Sequence, residues 1–390
     1  MPEPAFITTD DAAEHLQYTA QHVRRLVREG KLRGAKVGRD WLVDYSSVQH
    51  HLAVRENLSL PLAPSHEGQP LGEIGANGSL TFHEILSGGE PSVEMKYLAK
   101  RLAWANGGAP QETLHRVIHG DARQMGELDD ESVHLIVTSP PYFDLVEYEH
   151  DSQTDAQLGN FSEYEPFLDE LAKVWRRCFD LLVPGGRLCI VVGDVCVSRR
   201  QAGRHFVIPL HADIARQCTD AGFDYLTPIY WSKIANMATE VGGSARFLGK
   251  PYEPNAIIKN DVEYILLLRK PGSYRKPSTT QRALSILDPE EHRRYFRSVW
   301  TDVRGETRKT GHPAPYPAEL ALRLIKMFSF VGDTVLDPFW GTGSTTKAAV
   351  QAARSSVGYE IEQRYIDIGR ERLEQLDSGV VHPKFEFLTS

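Results

Sequence analysis

Asp337-Pro338-Phe339-Trp340-Gly341-Thr342-Gly343-Ser344-Thr345 decides how this 390-residue chain is read. It follows an apolar stretch at 334–336 that suits a strand, and it precedes an Ala-rich stretch at 346–353 that suits a helix. A glycine-rich turn from strand to helix lets a ligand approach the backbone closely and aims the helix N-terminus at it. Glu360 follows the next apolar stretch, 356–359, where a carboxylate can hold both hydroxyls of a ribose. The pattern is a nucleotide-type pocket that fits adenosine. It is not a P-loop, because G-x-x-x-x-G-K-S/T is absent and Lys347 follows Thr346. ATP hydrolysis is therefore not expected.

Working outward, Thr138-Ser139-Pro140-Pro141-Tyr142 stands at the end of another apolar stretch, 133–137. Two consecutive prolines neither extend a strand nor begin a regular helix, so they fix a rigid turn at the edge where open α/β sheets bind ligands. From about residue 114 short apolar stretches alternate with helical ones. Strands are expected at 116–119, 133–137, 188–192, 225–231, 262–268, 334–336 and 356–359. A sheet-packed helix is expected at 161–182, ended by Pro184-Gly185-Gly186. Together these predict one doubly wound α/β domain with a parallel sheet.

The chain resembles the AdoMet-dependent DNA amino-methyltransferases of the N4-cytosine/N6-adenine family. The resemblance is carried by TSPPY at 138–142, DPFWGTGST at 337–345, GYEIEQRY at 358–365, HPAPYP at 312–317, VIHGDA at 117–122 and YWSK at 230–233. The Pro-Pro-Tyr motif precedes the Asp-Pro-Phe motif, which is the order of the family's β class. What the resemblance implies is a Rossmann-like methyltransferase sheet that binds S-adenosylmethionine without a metal. It places Asp337, Pro338, Phe339, Gly341, Gly343, Ser344 and Thr345 around the cofactor, Glu360 on its ribose, Asp121 on its adenine amino group, and His312 and Pro313 near its methionine end. It also puts a target recognition region at 234–311, and Ser before Pro-Pro favours cytosine N4 over adenine N6.

The chemistry explains the residue types Ser139, Pro140, Pro141 and Tyr142. An exocyclic base amine is a poor nucleophile because its lone pair is delocalised into the ring, whereas a sulfonium methyl is already a strong electrophile. Hydrogen-bond acceptors, the Ser139 hydroxyl and the Pro140 carbonyl, can draw the amine toward tetrahedral geometry and aim its lone pair at the methyl. The base must leave the duplex to be reached, and Tyr142 can stack on it, with Phe143 beside it.

The first 55 residues form a separate pattern. Helices at 10–16 and 19–28, with Thr8 or Thr9 as a cap, are followed by a hairpin through Leu32, Val37, Trp41 and Val43, and Ser46 or Ser47 could cap a third helix. Seven basic residues against one acid between 24 and 39, among them Arg24, Arg25, Arg28, Lys36 and Arg39, suit phosphate contacts. This stretch resembles the excisionase-type winged helix-turn-helix family. Pro61, Pro64, Gly68, Pro70, Gly72, Gly75 and Gly78 mark a linker, and a helical patch is expected at 93–104. The organisation expected is a winged module at 1–55, linker and patch at 56–110, a first catalytic part at 111–233, the recognition region at 234–311 with a core strand inside it, and a second catalytic part at 312–390.

Composition sets the class. With 41% hydrophobic and 25% charged residues the chain suits a globular protein, and it holds no apolar run long enough to span a bilayer and no signal-peptide pattern at its start. A cytoplasmic location is expected, with Cys178, Cys189, Cys196 and Cys218 buried and reduced. The net charge is −8, yet 234–311 holds fourteen basic against nine acidic residues. Positive charge is thus gathered where duplex DNA would lie. A restriction endonuclease of the same specificity is a candidate second partner; the competing readings are an RNA methyltransferase and a DNA-binding subunit without catalysis.

Overall fold

The computed structural model describes residues 6–16, 18–28, 32, 34–37, 40–44, 47–48, 96, 100, 103, 112–141, 143, 158–161, 163–233, 254, 258, 260–305, 316–376 and 381–389. It divides into two units, Met1–Pro70 and Leu71–Ser390. The expected linker at 57–79 lies outside the described residues. So does most of the 93–104 patch, of which residues 96, 100 and 103 are helical.

In the first unit β1 (Phe6–Thr8) leads into α1 (Thr9–Leu16), then α2 (Ala20–Arg28), β2 (Gly34–Val37) and β3 (Asp40–Asp44). Thr8 caps α1, its hydroxyl accepting from the Asp11 amide at 3.2 Å while Asp11 accepts from Thr8. Thr19 caps α2 through the His22 amide. The strands pair in the order β1-β3-β2, all antiparallel. Ala12, Leu16, Val23, Leu26, Val27, Leu32 and Val43 fill a small core of their own. The helix-turn-helix and its hairpin are therefore present.

The second unit begins with β4 (Glu112–His119) and β5 (Val133–Thr138), followed by α3 (Tyr164–Leu181) and β6 (Leu182–Val192). A ribbon of β7 (Val195–Val197), α4 (Arg199–Ala202) and β8 (Phe206–Ile208) leads to α5 (Leu210–Asp220). Next come β9 (Asp224–Tyr225), β10 (Ile229–Ser232), β11 (Val262–Arg269), α6 (Thr279–Leu284), α7 (Pro289–Tyr295) and β12 (Val299–Trp300). The chain closes with α8 (Ala318–Phe328), β13 (Thr334–Asp337), α9 (Ser344–Gln351), β14 (Ser355–Glu360), α10 (Gln363–Glu374) and β15 (His382–Thr389).

Among the described residues the large sheet runs β12-β10-β11-β6-β5-β13-β14-β4-β15, with β9 added on β11. The six strands from β6 to β15 are mutually parallel; β11 runs antiparallel to them, and β10, antiparallel to β11, returns to their direction with β12 parallel beside it. Helices cover both faces, which is the doubly wound arrangement. On one face Phe167, Leu171, Trp175 and Cys178 of α3 pack with Ile214 and Cys218 of α5 onto Ile190, Leu266 and Leu336. On the other, Leu320 and Leu324 of α8 and Ala348 and Ala349 of α9 pack onto Leu135, Val191 and Val335.

Three expectations need correction. Pro184-Gly185-Gly186 does not separate helix from strand: β6 starts at Leu182, directly after α3. The dipeptide Gly185-Gly186 is held by exchange with β11's end, Gly185 N–H donating to Lys270 and Lys270 N–H to Gly186, while Gly185 takes φ +77°. Its insertion is absorbed as a register shift against β5 between Val133 and Leu135. The single strand expected at 225–231 is two short ones, β9 and β10, paired with different stretches of β11. The cysteines also divide: Cys178, Cys189 and Cys218 are buried, but Cys196 is exposed on the ribbon. Burial pushes the Cys189 thiol up to about 12, and those of Cys178 and Cys218 rise as well, so none of the three is a nucleophile at neutral pH.

Candidate active site

Parallel pairing brings the two motifs together. β5 and β13 are neighbours, with Val335 opposite Leu135 and Leu336 opposite Ile136. Ser139-Pro140-Pro141 and Asp337-Pro338-Phe339, 198 residues apart in sequence, thus leave adjacent strands at the same carboxyl edge. β14 lies beside β13 and ends in Glu360, and β4 lies beside β14 and runs out through Gly120 to Asp121. Such an edge, where helices and loops part, is where open α/β sheets bind ligands.

Asp337 ties the edge together. It is buried, and its Oδ1 accepts from the Thr138 hydroxyl at 2.7 Å and the Phe339 amide at 3.1 Å. Its Oδ2 accepts from the Thr345 hydroxyl at 2.5 Å and the Tyr316 hydroxyl at 3.2 Å, and Tyr316 and Thr345 also bond to each other. Burial raises the Asp337 pKa, with the four hydrogen bonds opposing the shift. One carboxylate therefore joins the end of β5, its own loop, the first turn of α9 and the segment that carries HPAPYP. The Asp337 carboxylate and the Thr345 hydroxyl are both engaged in this knot.

The glycine loop is shaped by Trp340. Its amide donates to the Tyr359 carbonyl at 2.9 Å, and its ring is buried, with Nε1 donating to Thr346 at 2.8 Å. The ring lies where three glycines leave room: a Cβ on Gly358, Gly369 or Gly343 would meet it at 2.0, 2.3 or 2.9 Å. Gly341 and Gly343 take φ of +55° and +82°, so the loop turns in the left-handed region. Ser344 and Thr345 begin α9 and are buried; Pro338 is buried, and Phe339 is half-buried with its ring edge-on to Trp175 at 6.2 Å.

Glu360 reaches back to this loop. Its Oε2 accepts from the Gly341 amide at 2.8 Å and its Oε1 from the Glu362 amide at 2.9 Å. Burial pushes its carboxyl up to about 7 despite these bonds. Asp121 is half-buried, and its carboxylate is gripped by Arg123, whose Nε stands 2.9 and 2.8 Å from the two oxygens; Arg123 also bonds Glu170 at 2.7 Å.

Ser139 and Pro141 are half-buried and Pro140 is buried. Among the described residues no group bonds the Ser139 hydroxyl. Phe143 packs on Tyr164 and Phe167. Tyr142, His312 and Pro313 lie outside the described residues. In the first unit Arg25 and Arg28 are exposed on α2 and Arg24 is half-buried, all opposite or beside the buried Val23, Leu26 and Val27. Lys36 lies on β2, and Arg39 lies outside the described residues.

The sequence does not single out several of these partners. Thr138 and Tyr316 stand inside quoted motifs, but nothing marks them as donors to one carboxylate. Arg123, two residues from Asp121, offers a local signal. A third group, Asp194, His211 and Tyr264, lies past the end of β6: His211 Nδ1 is 2.6 Å from Asp194 Oδ1, and the His211 ring stacks on Tyr264 at 3.7 Å. Among the described residues no group of three or more His, Cys, Asp or Glu is arranged to hold a metal, and no helix is long and apolar enough to cross a membrane.

A family described as DNA methylase matches residues 133–371, and a helix-turn-helix domain matches residues 6–54. The Type II methyltransferase M.MjaI of Methanocaldococcus jannaschii is 39% identical over 289 residues, covering 67% of this chain and 91% of that one. M.MthZI, a Type II methyltransferase of Methanothermobacter thermautotrophicus, is 35% identical over 283 residues, 68% of this chain and 78% of that one. Among solved structures, a putative DNA modification methylase of Thermus thermophilus, complexed with S-adenosyl-L-methionine, is 48% identical with a TM-score of 0.58, covering 71% of this chain and 98% of that one.

Proposed function

We propose, because the chain belongs to the DNA methylase family, that it transfers a methyl group from S-adenosylmethionine to the exocyclic N4 amine of cytosine in duplex DNA, as the modification enzyme of a restriction-modification pair. The observation that carries the reading is the pairing of β5 with β13, which brings Ser139 and the glycine loop that Glu360 anchors to the same edge of the sheet. The cytosine preference rests on Ser139 standing where the family's adenine enzymes more often have Asp or Asn.

The residues present fit the cofactor. Each Glu360 oxygen accepts one backbone N–H and keeps a lone pair for a ribose hydroxyl. Gly341 offers backbone without a side chain, and Phe339 keeps a partly open face for an apolar or planar group. When bound, S-adenosylmethionine supplies a methyl group already activated on a sulfonium. Ser139 and the Pro140 carbonyl accept from the two amine hydrogens, which localises the nitrogen lone pair and holds it in line. Asp337 sets the spacing between this acceptor pair and the cofactor loop. Tyr142 stacks on the extruded base, and the basic face of α2 holds phosphates.

Digesting DNA methylated by the protein to nucleosides and identifying the product by mass spectrometry tests this reading. N4-methylcytosine is expected; N6-methyladenine would overturn the choice of base, and no methylated nucleoside would overturn the activity.

Glu360 gives the reading a pH signature. Its folded-state pKa lies above that of an unfolded glutamate, so its contribution to folding is present at acid pH and is lost as pH rises through about 7. Cofactor binding runs the other way, since ribose hydroxyls donate best to the ionised carboxylate. Calorimetric titrations should show affinity for S-adenosylmethionine falling as pH drops through 7, by at most about tenfold per unit. Glu360→Gln should bind weakly at every pH with that dependence removed, and an unaltered pH profile in the variant would count against the ribose role.

A further inference from the structure

Between Asp194 and His211 the chain leaves the sheet as a ribbon that the chemistry above does not use. β7 and β8 pair antiparallel, Val195 opposite Ile208 and Val197 opposite Phe206, and α4 with Gly203 at φ +72° closes the tip. The ribbon starts beyond the end of β6, the strand paired with β5 through Thr138 and Ile190. It therefore rises from the same carboxyl edge as Ser139. Its base is stapled: the His211 amide and Nδ1 both meet Asp194 Oδ1, at 3.3 and 2.6 Å, joining the residue before β7 to one just after β8. Stacking on Tyr264 fixes the His211 ring in turn.

The ribbon's composition is one-sided. Residues 195–208 hold Arg199, Arg200, Arg204 and His205 and no acid, in a chain whose net charge is −8. Arg199 and Arg204 are exposed, and among the described residues no carboxylate pairs with either. The Arg204 guanidinium lies over the Phe206 ring, 5.3 Å from its centre. Phe206 and Val207 are 36% and 42% exposed, so the ribbon also presents apolar surface that folding leaves uncovered. Uncompensated like charge on an exposed apolar strand pair costs stability unless a partner uses it.

We propose that the ribbon 195–208 is a DNA-contacting arm, its arginines on phosphates next to the base being modified. A polyanion complements the tip, and the major groove, about 12 Å wide, admits a two-stranded β-ribbon. The stapled base holds the arm at the edge where the target amine must arrive. The inference rests on the methyltransferase reading.

The test uses the full chain and a labelled duplex containing its methylation site, with affinity followed by fluorescence anisotropy across a range of salt. R199Q/R204Q should flatten the plot of log affinity against log salt by about 1.8, at roughly 0.9 per lost phosphate contact. R199K/R204K should keep the wild-type slope, and both variants should bind S-adenosylmethionine as the wild type does, which shows that they are folded. If the wild type methylates DNA while R199Q/R204Q keeps the wild-type slope, the arm is overturned alone and the tip faces another partner, such as an acidic protein. If the wild type binds and methylates no duplex, the methyltransferase reading falls and the arm with it.

Discussion

Ser139→Ala is expected to slow methyl transfer about a hundredfold while leaving affinity for S-adenosylmethionine within about twofold. The hydroxyl is half-buried, unbonded among the described residues and one residue beyond Thr138, which the Asp337 knot holds in place. Removing Oγ deletes one of two acceptors for the amine, and the lone pair then stays delocalised into the ring. The cofactor loop is untouched, because Asp337, Gly341 and Glu360 keep every bond described for them. Single-turnover rates with saturating cofactor and DNA, beside a calorimetric titration, separate the two quantities. Equal losses in rate and cofactor affinity would place Ser139 on the cofactor instead.

Gly358→Ala is expected to be the most damaging single methyl group that can be added near the site. The new Cβ would stand 2.0 Å from Trp340 Cδ1 and 2.6 Å from Cγ, well inside contact distance. The ring has no retreat, since Gly369 and Gly343 bound it on other sides and Nε1 is tied to Thr346. Gly358 cannot retreat either, being hydrogen-bonded into β14 between β13 and β4. Overpacking commonly costs about 1–3 kcal/mol, and a clash with no rotamer to relieve it should exceed that range. The melting temperature should fall by about 5 °C or more, and cofactor affinity should fall with it because the Trp340 amide helps set the loop. Trp340→Leu in the same chain should recover part of the loss by freeing the volume. A Gly358→Ala protein as stable as the wild type would mean that the ring does not fill this slot.

The parts of the fold that can be read from the sequence are those bounded by glycine and proline. β5, β13 and β14 fall within a residue or two of their expected spans, because short apolar runs ending in Ser-Pro-Pro, Asp-Pro or Glu leave little choice of boundary. β15 is not among the expected strands. His382-Pro383 argues against one, and it is tolerated because this strand is at the sheet's end, where the missing proline N–H forfeits no partner on the open side. The ribbon escapes for another reason: strands of three residues carry no periodicity. In the site, motif residues can be named but their roles cannot be ranked. Asp337 belongs to the cofactor motif by pattern, yet its oxygens are spent on Thr138, Phe339, Thr345 and Tyr316, a result that depends on where four separate segments meet.

The position of β4 has a consequence for how the chain is made. This strand opens the large sheet in sequence, but its two neighbours are β14 and β15, which pair with it from positions some 240 and 270 residues later. During synthesis Leu114, Val117 and Ile118 emerge from the ribosome long before anything can cover them, and the strand has no local hairpin to join. Contacts of such long range make for slow closure and a lengthy interval in which an apolar edge is open to other nascent chains. The polar and charged residues that alternate along it, Arg116 and His119 among them, would then serve the newborn chain as much as the finished one, by keeping a waiting strand in solution.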